Sequence, residues 1–218
     1  MVREREEIRN LMEALVAMAD EAGVMLAAAV KTFSRPEPGT TAALVERDKA
    51  INRMENAHDA KCLRILALYQ PEADDLRTVF MALKINNDLE RIGDHALNVA
   101  EQAEGMAVPP PALYKSRLER MGGLAQGMLS DAITAFVARD TALAKNVIGR
   151  DDEADDLLKE VIHDVLMQEG AQGRGIETAI GVVLAAKELE RIADLCTNIA
   201  EDVVFMAEGT LLKHSGEM

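Results

Sequence analysis

The sequence has no tryptophan, and only 3% of its 218 residues are aromatic. With so few rings to stack on bases, and no run of Lys or Arg long enough to neutralise a track of phosphates, the composition argues against nucleic-acid binding. Cysteine is almost as scarce. Cys62 and Cys196 are the only two, each in an apolar helical setting, so both read as reduced core residues rather than as a disulfide or a zinc site. No apolar run approaches the roughly 20 residues that span a bilayer. The opening MVREREEIRN is charged from the start, unlike a signal peptide, so the expected compartment is the cytoplasm. No glycine-rich phosphate loop follows a strand and no nucleophile elbow occurs, which removes the common enzyme signatures.

Aliphatic residues and helix-length patterns are abundant. Leu, Ala, Val, Ile and 12 Met supply most of a 49% hydrophobic content, a filling that suits closely spaced helices better than a sheet. The net charge of −14 favours cations or basic proteins as partners, although it also serves simply to keep a chain soluble. Ile8, Leu11, Leu15, Met18, Ala22, Met25, Ala29 and Phe33 recur at helical spacing and predict a helix over 3–33, ended by SRPEPG at 34–39. A second helix is expected over 41–69, and a third from Pro71, as its first residue, to 104. GMAVPPP at 105–111 reads as a linker. A fourth helix then runs to 138, a fifth from beyond a turn at Arg139 and Asp140 to 168, and a sixth from beyond the turn GAQGRG to 208. Short connections between six long helices imply an all-α protein, a tandem repeat of two antiparallel three-helix bundles. Residues 1–105 form the first and 112–209 the second, with a linker at 106–111 and a tail at 210–218 expected to fray.

The tandem is visible in the letters. LERIGDHALNVAE at 89–101 returns as LERIADLCTNIAE at 189–201, and Met25, Leu26, Val30 and Phe33 return as Met128, Leu129, Ile133 and Phe136. Each copy of the first stretch sets Glu, Asp, Asn and Glu within one quadrant of a helix, at about 100° per residue. That acidic stripe continues the line of Leu76, Val79 and Leu83 in one copy and of Ile176, Ala179 and Val183 in the other. Acids in line with apolar residues are expected to be partly desolvated and to need partners.

Antiparallel geometry supplies more acids. In a hairpin folded at Pro71, residues equidistant from the turn face each other, which sets Asp48 against Asp94 and Asn52 against Glu90. A hairpin folded between Gln172 and Gly173 sets Asp151 against Asp194 and Asp155 against Glu190. Carboxylates meeting between two helices cannot all stay ionised without compensation. Divalent or trivalent cations would supply it. Oxygen-only donors suit Mg, Ca, Mn or ferric iron, with Zn as a further candidate, and bridging carboxylates can hold more than one ion. A metal-free alternative stands beside this reading, since Arg91, Arg150 and Arg191 are placed to bridge such acids, and acids four apart on a helix are usually a solvated face.

A second pattern suggests an enzyme. Glu55-x-x-His58 and Glu160-x-x-His163 resemble the Glu-x-x-His pairs of di-iron carboxylate bundles, each followed by an acid, Asp59 or Asp164. Their helical phases disagree. Glu55 lies on the face of Asp48, whereas Glu160 lies opposite Asp151, so the two cannot both complete equivalent sites and read instead as chance helix-surface residues. His95, next to Asp94 but off the acidic stripe, is expected to be exposed or capping.

QPEADDLR at 70–77, DKAINRME at 48–55, the two LERI stretches extended to LERIADLCTNIAEDVVF, and the closing GTLLKH together resemble the PhoU family of bacterial phosphate-uptake regulators. The resemblance covers nearly the whole chain and implies paired three-helix bundles with multinuclear metal sites built from paired E/DxxxD motifs. Carried over by position, the metal candidates are Asp48, Asn52, Glu90 and Asp94 in the first half and Asp151, Asp155, Glu190 and Asp194 in the second. Asn52 departs from the acid at the matching Asp155 and removes one compensating charge. The resemblance further implies a non-enzymatic cytoplasmic adaptor that couples the phosphate ABC transporter to its sensor histidine kinase and holds the phosphate-starvation response off. The expected partners are that kinase and the transporter's ATPase subunit, with membrane association only through them; a homodimer is compatible with this reading. The alternatives are a ferritin-like di-iron oxidase or ferroxidase, and a helical interaction protein without metal.

Overall fold

The computed structural model describes residues 2–106, 108–172 and 175–209, and every regular element among them is a helix. The helices are α1 (Val2–Ser34), α2 (Thr40–Tyr69), α3 (Ala73–Glu104), α4 (Ala112–Ala138), α5 (Thr141–Ile148), α6 (Asp151–Gln172) and α7 (Ile176–Glu208). α1, α2 and α3 pack on one another as the first antiparallel bundle, and α4 to α7 as the second. The expected tail at 210–218 and part of the expected glycine turn lie outside the described residues. No described helix is long and apolar enough to cross a membrane.

Two boundaries differ from the sequence reading. α3 begins at Ala73, and Pro71 sits buried in the turn before it, between Gln70 and Ala73, which both take positive φ (49° and 47°). The expected fifth helix is two. α5 ends at Ile148, capped by Gly149, and α6 starts at Asp151 with Asp151, Asp152 and Glu153 in its first turn, where the helix dipole favours acids. Between them Arg150 folds back on α4, bonding Asp131 at 2.7 Å and the carbonyl of Leu124 at 3.4 Å. Gly127 leaves room for it, since a Cβ there would lie 2.7 Å from the guanidinium. Apolar spacing runs on across so short a break, so periodicity alone does not reveal it.

The duplication extends to burial. Met25 and Met128, Leu26 and Leu129, Val30 and Ile133, and Phe33 and Phe136 are buried in pairs. The bundles join along α3 with α7 and α1 with α4. At the second contact a Cβ on Gly122 would lie 2.4 Å from the Val30 side chain, so only glycine permits this approach. Cys62 and Cys196 are free and buried, as expected, and burial pushes the Cys62 thiol up to about 12.

The short α5 depends on its cap. The Asp140 carboxylate accepts from the backbone N–H groups of Ala142 and Leu143, both at 3.0 Å. Asp140→Ala should therefore lower stability by about 1 kcal/mol, read as a fall of roughly 2–4 °C in thermal melting.

Candidate metal centre

Each candidate site is the seam of a two-helix hairpin. Asp48, Asn52 and Glu55 project from one face of α2 at helical spacing, toward Glu90 and Asp94 of α3. The register is fixed by core contacts: Ile51 packs over Gly93, where a Cβ would lie 2.9 Å from Ile51 Cδ1. One turn toward the hairpin tip, the Asn86 amide donates to the Glu55 carbonyl at 3.0 Å and to the Asp59 carboxylate at 2.9 Å.

In this seam Asp48 meets Asp94 and both Glu55 and Asp48 act on Glu90. Asn52 and Glu90 are half-buried, as is Asp48, whereas Asp94 is exposed. The Asn52 amide donates to Asp48 Oδ2 at 3.3 Å. Two buried oxygens, Asp48 Oδ1 and Asn52 Oδ1, have no hydrogen-bond partner. Desolvation and the facing Asp94 push Asp48 up to about 6. Desolvation, then Asp94, Glu55 and Asp48, push Glu90 up to about 7. Asp48 and Asp94 can share a hydrogen bond only when one of them holds a proton, so the ionised pair leaves Oδ1 orphaned.

The second seam repeats this arrangement between α6 and α7. Glu190 is raised by desolvation and then by Asp194, Asp155 and Asp151. Asp194 is raised by desolvation and then by Asp151 and Asp155. Thr197 donates to Asp151 Oδ1 at 3.1 Å. Glu190 and Asp151 are half-buried and Asp155 and Asp194 exposed. Of the four facing pairs deduced from hairpin arithmetic, Asp48 with Asp94, Asp151 with Asp194 and Asp155 with Glu190 act on each other, whereas Asn52 bonds Asp48 of its own helix. The apolar line leading to them is less buried than its spacing suggests, with Leu76 45% and Ile176 60% exposed at the hairpin tips.

None of the three arginines near these acids forms an ion pair with them, although the charges of Arg91 and Arg191 partly offset the rise at Glu90, Glu190 and Asp194. Arg91 pairs with Asp88 at 3.7 Å, Arg191 with Glu188 at 3.1 Å and Arg150 with Asp131 at 2.7 Å. Among the described residues no group of three or more His, Cys, Asp or Glu side chains is drawn together closely enough to hold a metal as it stands. The donor chemistry nevertheless fits a hard cation: carboxylate and amide oxygens, two of them buried and unpartnered, with no basic side chain seated on them.

The Glu-x-x-His pairs do not form equivalent sites. His58 is not a surface residue but a buried one, 6% exposed, with Nδ1 2.9 Å from Asn86 Oδ1. Glu160 and Asp164 instead bind Arg117, the latter at 3.1 Å. His95 is half-buried rather than exposed and meets Glu188 of α7 at 2.7 Å, which also accepts from Asn98 at 3.1 Å. Glu55, set aside in the sequence as half of a Glu-x-x-His pair, belongs to the acid seam; its position seven residues past Asp48 was the signal.

Fold and site together define a duplicated all-helical protein whose chemistry is concentrated in paired carboxylate seams, one per bundle. The PhoU domain model matches residues 15–103 and 118–203, and the chain belongs to the PhoU family. It is 32% identical over 209 residues to the phosphate-specific transport system accessory protein PhoU homolog of Aquifex aeolicus, covering 96% of this chain and 95% of that protein. The same-named protein of Caulobacter vibrioides is 34% identical over 206 residues, covering 94% and 89%. The crystal structure of PhoU from Pseudomonas aeruginosa superposes with a TM-score of 0.88 at 32% identity, covering 94% of this chain and 99% of that one. The phosphate transport system regulatory protein PhoU from Streptococcus pneumoniae gives 0.89 at 25% identity, covering 96% and 99%.

Proposed function

We propose that this protein is a phosphate-transport accessory protein that works as a metal-binding, non-enzymatic cytoplasmic adaptor. It restrains phosphate uptake and the phosphate-starvation response by coupling the phosphate ABC transporter, through its ATPase subunit, to the sensor histidine kinase. Membership of the family and relatives named as transport accessory proteins support the role in phosphate transport. The observation that carries the metal reading is the duplicated seam, with Asp48 Oδ1 and Asn52 Oδ1 buried and unpartnered and no arginine seated on the acids. Asp48, Asn52, Glu90 and Asp94 would hold metal in the first half, and Asp151, Asp155, Glu190 and Asp194 in the second. Bound cations would remove the repulsion within each seam and lock α2 to α3 and α6 to α7, leaving the outer helical faces to partners.

Elemental analysis after dialysis without chelator tests the metal reading. Native protein should carry bound metal, and the Asp155→Asn, Asp194→Asn variant about half as much. Two metal-free proteins of equal stability would make the seams polar docking surfaces instead. For the regulatory reading, loss of the gene should switch on a phosphate-starvation reporter in phosphate-rich medium. Unchanged reporter output would contradict it.

A further inference from the structure

The two halves are not simple copies at their acid seams. α2 offers Asp48, Asn52 and Glu55, whereas the matching positions of α6 are Asp151, Asp155 and Leu158. A carboxylate is missing from one position in the first half and present one helical turn further on; in the second half that further position is a partly buried leucine packed on the core. Resting on the metal reading above, we infer that Glu55 replaces the carboxylate absent at Asn52 and is a ligand of the first metal site.

Three observations carry this. Glu55 follows Asp48 by seven residues and Asn52 by three, so all three share one face of α2. Its backbone lies directly against α3, held by the Asn86 amide at 3.0 Å, and its charge reaches Glu90. Among the described residues no ion pair or hydrogen bond engages its carboxylate, although it is half-buried. Each seam then contains four acids: Asp48, Glu55, Glu90 and Asp94 in one, and Asp151, Asp155, Glu190 and Asp194 in the other.

The test is calorimetric titration of the full chain with Mn²⁺, in a background where Asp155→Asn and Asp194→Asn disable the second site. Glu55→Gln should weaken binding at the remaining site about 10-fold or more, because hard-cation affinity follows the number of charged ligands. Adding Asn52→Asp to that variant should restore it by recreating the pattern of the second half. In the otherwise native chain, Leu158→Gln should leave uptake unchanged. Thermal melting of each variant without metal checks that the hairpin is intact. If Glu55→Gln titrates like its background while Glu90→Gln loses binding, the assignment of Glu55 is wrong and the metal site survives it. If the background takes up no Mn²⁺ and native protein takes up none either, both fail.

Discussion

Metal-loaded protein should melt well above metal-free protein, and the difference should widen as pH rises from about 5 to about 8. Two effects of opposite sign produce this. Without metal, Asp48 is pushed up to about 6 and Glu90 to about 7, above the ordinary 3.8 and 4.5 of the unfolded chain. Their protonated forms are therefore favoured in the fold, giving stability that is complete below about pH 4 and lost as pH passes through about 6 to 7. Glu190 and Asp194, also raised, add to the same loss. Discounted for solvent screening, the decline is roughly 1–2 kcal/mol. With metal, ionised carboxylates are the ligands, so binding strengthens as protons leave. Cation at about 1,000 times its dissociation constant adds about 4 kcal/mol per site, so the gap near pH 8 should exceed about 10 °C. Melting curves at several pH values, with Mn²⁺ or with chelator, measure it directly. Curves that stay parallel across pH would mean that the acids and the metal are not coupled.

Much of this site was legible before the fold was known, because a two-helix hairpin leaves few geometric choices. Once the turn at Pro71 is recognised, equidistance sets Asp48 against Asp94 whatever the remaining packing does, and the repeated LERI stretch supplies the second seam by the same reasoning. What escaped depends on tertiary contacts. The break before Asp151 rests on Arg150 reaching Asp131 across to α4, a contact that no local pattern encodes. His58 looked like a surface residue because α2 is only weakly amphipathic; it is buried because Asn86 on the facing helix satisfies its ring. His95 likewise finds Glu188 only because α3 and α7 run side by side. Position within a helix was readable, whereas the partner supplied by another helix was not.

That interface between bundles carries the last prediction. Asp202 on α7 is 2% exposed, and its carboxylate is met by Lys84 of α3, leaving Oδ2 without a partner. Lys84→Met should destabilise the protein by about 3–5 kcal/mol, since it strands a buried carboxylate, whereas Lys84→Met with Asp202→Leu should recover most of the loss. The cost in the single variant lies mainly in the unpaired charge, because removing both charges also removes the desolvation that their attraction had to offset. The duplication indicates that the fold does not require an ion pair here: a shift of 100 residues carries Lys84 and Asp202 onto Leu184 and Gln102, neither of them charged. Chemical denaturation of the two variants beside the native chain separates the outcomes. Equal losses in the single and double variants would mean that packing around Lys84, and not its charge, holds α3 against α7.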